Sequence, residues 1–535
     1  MFSIQGDGLK NYFHPAFYIK HSIDLLEYRG MNYPFGEYIL LIDCFPLLAV
    51  FLKIISTHII DLSDYSVGIF NVLMFSSLLI STFYLTKIFQ YLKSNRIVSV
   101  LAAIGISLLC SQAVSWKFGH YALSLVCFFP ISWWLMLKFE QTFSFWRGVI
   151  LIINLLFWYF IHGYLGIIIS GFYIGVGIFR FITKKDNLQI RSALFLCGLT
   201  ILATLAYYVC IKVFDQHTMR DVINYTTAHK ASKYSLILPG KHSAFELFPS
   251  INEKIVALKS ASWDEVGNYL GLGVILLLFV LFLRGIHNKI YLKINLFKRL
   301  INENLFATLF SATLLLLFAM AIPFRFGMTS LVPAPLAQLV GLGRFAWPFY
   351  FVVSVMTPVC VERYVGSFGK NLAIAGSLLI LTEGVAQHLS LSQYIAKEEN
   401  ILVLDGDNRI LPEAIVAENF QAIIPLPFYH KYGKKNEFEG SLASEKISMQ
   451  LSYETGLPLM SAILSRPSSA EANHILSVFS EKTSENLLNN INSQDILVVY
   501  TGEKLQWKEQ RFLNKCLLLT TQNNVSFYKL GAADL

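Results

Sequence analysis

The sequence predicts a polytopic α-helical membrane protein that carries an extracytoplasmic C-terminal α/β domain. Three observations carry this expectation. Long apolar runs fill residues 66–392, only 15% of the chain is charged, and an ordinary soluble mixture returns from residue 396 onward. Soluble domains carry about 25% charged residues, so the deficit is large. At 535 residues the chain also exceeds one ordinary domain. The expected division is an external N-terminal loop with an interfacial helix over 1–65, a helical membrane body over 66–395, and a soluble domain over 396–535. The last boundary lies near Ile395-Ala396-Lys397.

A membrane span needs about 20 mostly apolar residues. Ten segments qualify as candidates: 67–89, 97–115, 121–138, 148–161, 164–182, 192–214, 267–283, 304–323, 344–361 and 372–392. The fourth is short and has a break point at His162-Gly163. The loops between them alternate in charge. Lys87, Lys93 and Arg96 share one side with Lys138 and Arg147, with Arg180, Lys184, Lys185 and Arg191, with the Arg284–Arg299 group, and with Arg363 and Lys370. Basic loops stay in the cytoplasm, which puts both termini and the long loop 215–266 outside. An outer N-terminus further implies a helix ahead of Met1.

Residues 38–57 are apolar but interrupted by Asp43, Cys44 and Pro46. An eleventh span there would invert every later loop, so an interfacial or re-entrant helix is expected. In the C-terminal domain, Gln421–Phe428, Asp495–Tyr500 and Val525–Lys529 read as strands, and Ser441–Thr455 and Ala470–Lys482 as helices. This alternation is the α/β pattern. It holds no phosphate-binding glycine loop and no nucleophile elbow.

The net charge of +8 does not indicate nucleic acid, because the excess Lys and Arg sit in short loops between apolar runs. Of the seven cysteines, Cys110, Cys127, Cys197, Cys210 and Cys360 fall inside apolar runs and read as small hydrophobes. Cys516 stands alone in the C-terminal domain, and no pair has metal-ligand spacing.

Sorted by side, the polar residues of the outer face form a group. It contains Asp7, Lys10, Asn11 and His14, then Glu37, the Gly119-His120-Tyr121 and His162-Gly163-Tyr164 turns, Trp263-Asp264-Glu265 with Tyr269, and Arg325 and Arg344. Each has an ordinary reading. Asp7 suits a helix N-cap. A lone His120 or His162 suits an interfacial histidine bonded to backbone. Arg325 and Arg344 suit snorkelling to headgroups, and Trp263 and Tyr269 an aromatic belt. Together they suit sugar transfer from a lipid phosphate. That reaction needs a base for the acceptor hydroxyl, which a carboxylate supplies. It also needs positive charge on the departing phosphate, where arginine offers a planar fork of donors.

This layout resembles the polytopic glycosyltransferases of the GT-C class. Asp7 in Gly6-Asp7-Gly8 matches the acidic residue of their first external loop. The segments Gln421-Ala422-Ile423-Ile424-Pro425-Leu426-Pro427-Phe428 and Gly456-Leu457-Pro458-Leu459-Met460 resemble a set of uncharacterised bacterial membrane proteins of the same layout. The resemblance implies a plasma-membrane enzyme of the bacterial envelope, using a lipid-linked sugar donor on the extracytoplasmic face. Asp7 would be general base or acceptor-positioning carboxylate. Arg344, with Arg325, would hold the donor phosphate, and Lys10, Asn11, His120, His162 and Glu265 would line the site. A second acidic position stays open among Glu37, Asp43 and Glu265, as does use of a divalent metal. Two other classes compete: a transporter or lipid flippase, for which Glu383 within a span is the relevant charge, and a non-catalytic envelope-assembly protein.

Overall fold

Where apolar runs exceed about 18 residues, the chain forms helices that satisfy their own backbone hydrogen bonds, as a bilayer requires. A computed structural model describes residues 1–4, 6–183, 187–217, 220, 229–232, 234–239, 244–247, 250, 253, 268–287, 303–325, 341–395, 400–402, 412, 415, 419–431 and 438–535. Among these, six helical segments are long and apolar enough to cross a membrane: Ser63–Tyr91, Arg96–Val114, Gly163–Thr183, Ile190–Phe214, Leu342–Tyr364 and Gly366–Ile395.

The expected number was ten. Phe145–Ile161, Leu272–Ile286 and Leu305–Ala319 are apolar but have no more than 17 residues. At 1.5 Å per residue they reach about 25 Å, short of the ~30 Å hydrocarbon thickness. The third candidate begins with a 3₁₀ turn at Ala122–Ser124 and becomes a 14-residue helix, Phe128–Gln141. The fourth and fifth meet at the anticipated break, where His162 is extended between helices ending at Ile161 and starting at Gly163.

The chain divides into two compact units. One joins Met1–Asn71, Cys210–Val222 and Glu398–Leu535; the other joins Val72–Val209 and Ile223–Lys397. The N-terminal stretch and the C-terminal region, read from sequence as separate domains, therefore share a unit.

The second unit is a helix bundle. Leu342–Tyr364 lies at its centre, 78% buried, whereas Ile190–Phe214 is 17% buried and turns Leu194, Ile201, Leu205 and Val213 outward. An apolar surface of that kind suits lipid. Small residues bring Arg96–Leu109 and Gly369–Ile395 together. A Cβ on Gly105 would lie 2.6 Å from the backbone nitrogen of Leu381, and one on Gly384 would lie 2.8 Å from the Cβ of Leu108. Such close backbone approach is how helices pack where lipid removes the hydrophobic driving force. The buried polar groups of Gly369–Ile395 satisfy neighbouring helix ends. Glu383 Oε2 accepts from Leu272 N–H at 2.8 Å, where the next helix begins, and the Gln387 amide donates to the Leu108 carbonyl at 3.3 Å.

In the first unit, Gly8–His21 is an almost fully buried helix that packs against Pro46–His58 and Leu442–Thr455. Gly6, at φ +59°, makes the turn before it. Pro46–His58 has 13 residues, and its Phe51 and Ile54 are exposed, as are Ile59 and Ile60 just beyond. The C-terminal region builds a four-stranded sheet in the order 420–426, 495–500, 525–530, 517–522. Its first two strands are parallel, Leu426 standing opposite Tyr500, and the other pairs are antiparallel. The strands expected near 421, 495 and 525 form. Leu517–Gln522 was not anticipated; it is an edge strand with no buried residue. Ala422, Ile424, Ile496, Val498, Phe479 and Phe512 are among the residues that fill the core.

Candidate functional site

Asp7 occupies the residue before the first helix, but its side chain makes no capping bond there. Its carboxylate turns to Lys10, one helical turn on, with Nζ 3.2 Å from Oδ1. The same ammonium lies 3.2 Å from Asp43 Oδ2. Asp43 in turn accepts a hydrogen bond from the Ser465 hydroxyl of the C-terminal region. Lys10 is buried, whereas the Asp7 side chain keeps 36% of its surface exposed. Burial works against the Lys10 charge, but the two carboxylates outweigh it and raise the Lys10 pKa. Asn11 is buried on the same helix. One turn further, His14 is 2% exposed; burial, with the Lys10 charge, pushes its pKa down to about 3. It is a neutral imidazole packed at 3.4 Å on the Met31 sulfur and is not a base for the physiological range.

A second polar centre in this unit was not foreseen. The Arg220 guanidinium donates to both oxygens of Glu37, at 3.0 and 2.6 Å, and to both of Asp215, at 2.6 Å each. His217 Nδ1 lies 2.9 Å from Glu471 Oε1, and Glu471 Oε2 accepts from the Asn32 amide at 3.0 Å. Glu37 is 2% exposed and its pKa is raised by burial, against the pull of Arg220. For His217, burial disfavours the charged ring, but the bond to Glu471 and the charges of Glu37 and Glu471 prevail and raise its pKa. Ligand atoms of Glu37, Asp215 and His217 lie within 4.8 Å of one another, a spacing that a divalent cation accepts. The Arg220 fork already bonds both carboxylates, so an ion would have to displace it. The residues do not fit a metal while Arg220 stays.

In the second unit, two residues of the expected site, His162 and Arg344, meet around Tyr164. His162 Nδ1 accepts from the Tyr164 N–H at 3.2 Å, and the Arg344 guanidinium lies over the Tyr164 ring, 4.8 Å from its centre. The Tyr164 hydroxyl accepts from the Gly341 N–H at 2.8 Å, and the Asn268 amide donates to the Gly343 carbonyl at 3.1 Å. Arg344 is thus fixed by a buried tyrosine rather than left to snorkel. His120 sits in a separate turn, its N–H bonded to the Ser115 carbonyl at 3.1 Å. Arg325 ends the short helix Ile322–Arg325, with its side chain outside the described residues; Glu265 lies outside them altogether.

Structure therefore separates the three candidates for a second acidic position. Asp43 joins Asp7 through Lys10, Glu37 joins Arg220, and Glu265 is undescribed. A family model for a domain of unknown function, DUF6311, matches residues 1–382. The chain belongs to the DUF6311 family. No curated protein matches it. The span matched by the DUF6311 model contains Asp7, Lys10, Asp43, Glu37, Asp215, His217, Arg220 and Arg344; Ser465 and Glu471 fall beyond it.

Proposed function

We propose that this DUF6311 protein is a GT-C-like glycosyltransferase, moving a sugar from a polyprenyl-phosphate donor to an acceptor on the outer face of the bacterial plasma membrane. The observation that carries the reading is the Asp7 carboxylate. It stands at a helix start without capping it, is part exposed, and is held from behind by a buried ammonium shared with Asp43.

In this reading Asp7 takes the proton of the acceptor hydroxyl. The freed oxygen bonds to the anomeric carbon of the donor sugar, and the bond from that carbon to the phosphate oxygen breaks. Polyprenyl phosphate leaves with the electron pair, and its charge needs a cationic partner, the role that the sequence alone gives Arg344, with Arg325. Lys10 and Asp43 position Asp7, and Ser465 fixes Asp43. His162 orients Tyr164, on which Arg344 rests.

Ten crossings and an external C-terminal region belong to the same proposal. On the reading that the three stretches of the first unit lie on one side of the membrane, the chain crosses an even number of times between Asn71 and Cys210, and again between Val222 and Glu398. Among the described residues, six helices of 14 or more residues fall in the first interval and four in the second, which supports ten, with the shorter ones seated in a locally thinner bilayer. The charge alternation of the loops supports the outer placement. Glu383 Oε2 caps the helix that begins at Leu272, a structural use for the charge on which the transport reading relies.

The test is transfer of labelled sugar by the purified full chain from a panel of polyprenyl-phosphate sugars. Wild type transfers from at least one donor. Asp7→Asn inserts and melts normally but loses at least about 100-fold in rate, the contribution expected of a general base. Full activity in Asp7→Asn sinks the base assignment. A well-folded wild type that transfers from no donor favours transport or assembly.

A further inference from the structure

A second feature of the first unit is a cavity of about 240 Å³ beyond the carboxyl ends of the two parallel strands, 420–426 and 495–500. Its lining comes from the two segments that leave those ends. Phe428, Glu439 and Ser441 follow the first strand, and Glu503, Lys504 and Gln506 follow the second. In open α/β sheets, ligands bind in the crevice outside the carboxyl ends of parallel strands, because the chain there turns away on both sides. This pair of strands builds that crevice.

We propose that this cavity binds a single uncharged sugar residue, as a recognition unit of the acceptor apart from its reacting hydroxyl; that role rests on the transferase reading, whereas the binding itself does not. Size sets the first limit. Drug-sized and nucleotide ligands occupy about 300–1,000 Å³, so the space suits one small ring. Charge sets the second. Three carboxylates, Glu439, Glu503 and Glu509, stand against one ammonium, Lys504, which disfavours phosphate and other anions.

Chemistry sets the third. Glu509 is 2% exposed and turned to the backbone, accepting from the Phe428 and Gln506 N–H groups at 2.6 and 2.7 Å. Glu503 already accepts from two hydroxyls, those of Ser441 and Thr501. A carboxylate offers about four lone-pair sites, so Glu503 keeps capacity for further hydroxyl groups. Glu439 is exposed and offers the same. Hydroxyl-accepting carboxylates beside Pro427 and Phe428 meet the mixed polar and C–H surface of a sugar ring.

The experiment is saturation-transfer NMR on the full chain in nanodiscs, titrated with the methyl glycosides of glucose, galactose and N-acetylglucosamine, with inorganic phosphate then added as a competitor. At least one glycoside is expected to saturate at millimolar concentration, and phosphate is expected not to displace it. Glu439→Gln and Glu503→Gln should each weaken it about tenfold, the size of one charge-assisted hydrogen bond. Glu439 is exposed, so its variant keeps the fold even if Glu503→Gln disturbs the Ser441 helix start. Asp7→Asn should retain the binding, which separates loss of this site from loss of the transfer reaction. Failure of every glycoside to saturate below about 50 mM, binding unchanged in both glutamate variants, or displacement by phosphate overturns the proposal.

Discussion

At the scale of single residues, the Arg220 centre makes the sharpest demand. Glu37 is almost fully buried, and its charge is tolerable only beside the guanidinium. Removing one partner of a buried pair costs about 3–5 kcal/mol. Arg220→Met should therefore lower the melting temperature sharply, and Arg220→Lys should recover only part of the loss, because an ammonium cannot bond both carboxylates in a fork. Equal stability of the lysine variant and wild type would show that the fork is unimportant. His217 adds a pH dependence. Its pKa lies above the ordinary 6.5, so its contribution is complete below that value and fades as pH rises through the folded pKa. Thermal melts of wild type and His217→Gln should differ most at acidic pH and converge as the solution becomes alkaline. A gap independent of pH would contradict the charged pairing. Asp7 and Lys10 were legible in the sequence because they lie one turn apart beside a glycine turn. Arg220 was not: its partners Glu37 and the Arg466 carbonyl are joined to it only by the fold. The cluster Asp215, His217, Arg220 at the end of an apolar run was the one available signal.

At the scale of elements, the apolar runs made the helices legible, since length and hydropathy alone locate a span. Exact lengths were not, because the helix ends depend on turns such as Ala122–Ser124 and on caps such as the one Glu383 supplies. Strands 420–426 and 495–500 were readable from their apolar blocks. Leu517–Gln522 was not, because an edge strand with no buried residue has no alternation to read. The Arg96–Leu109 and Gly369–Ile395 pair rests on Gly105 and Gly384. Gly105→Leu places a side chain against the backbone of Leu381, and neither helix can yield without losing its other contacts. A loss of roughly 1–3 kcal/mol is expected, the usual penalty of overpacking. Gly198→Leu is the control, because its added Cβ would meet nothing within 4 Å. Thermal unfolding in detergent compares them, and equal melting temperatures would remove the close-packing account.

For the whole molecule, the sequence suggested an N-terminal loop and a C-terminal domain as separate parts, because nothing in composition links residues 400 apart. Structure joins them with Cys210–Val222 in one unit, through contacts such as Ser465 to Asp43 and Glu471 to His217. That union makes the sidedness of the C-terminus also the sidedness of Asp7. The most direct measurement is a pair of reporters fused after Leu535, one active only outside the cytoplasm and one only within it. The account predicts activity from the external reporter alone. Activity from the cytoplasmic reporter would put Asp7 on the wrong face for an external lipid-linked donor and would contradict the ten-crossing topology with it.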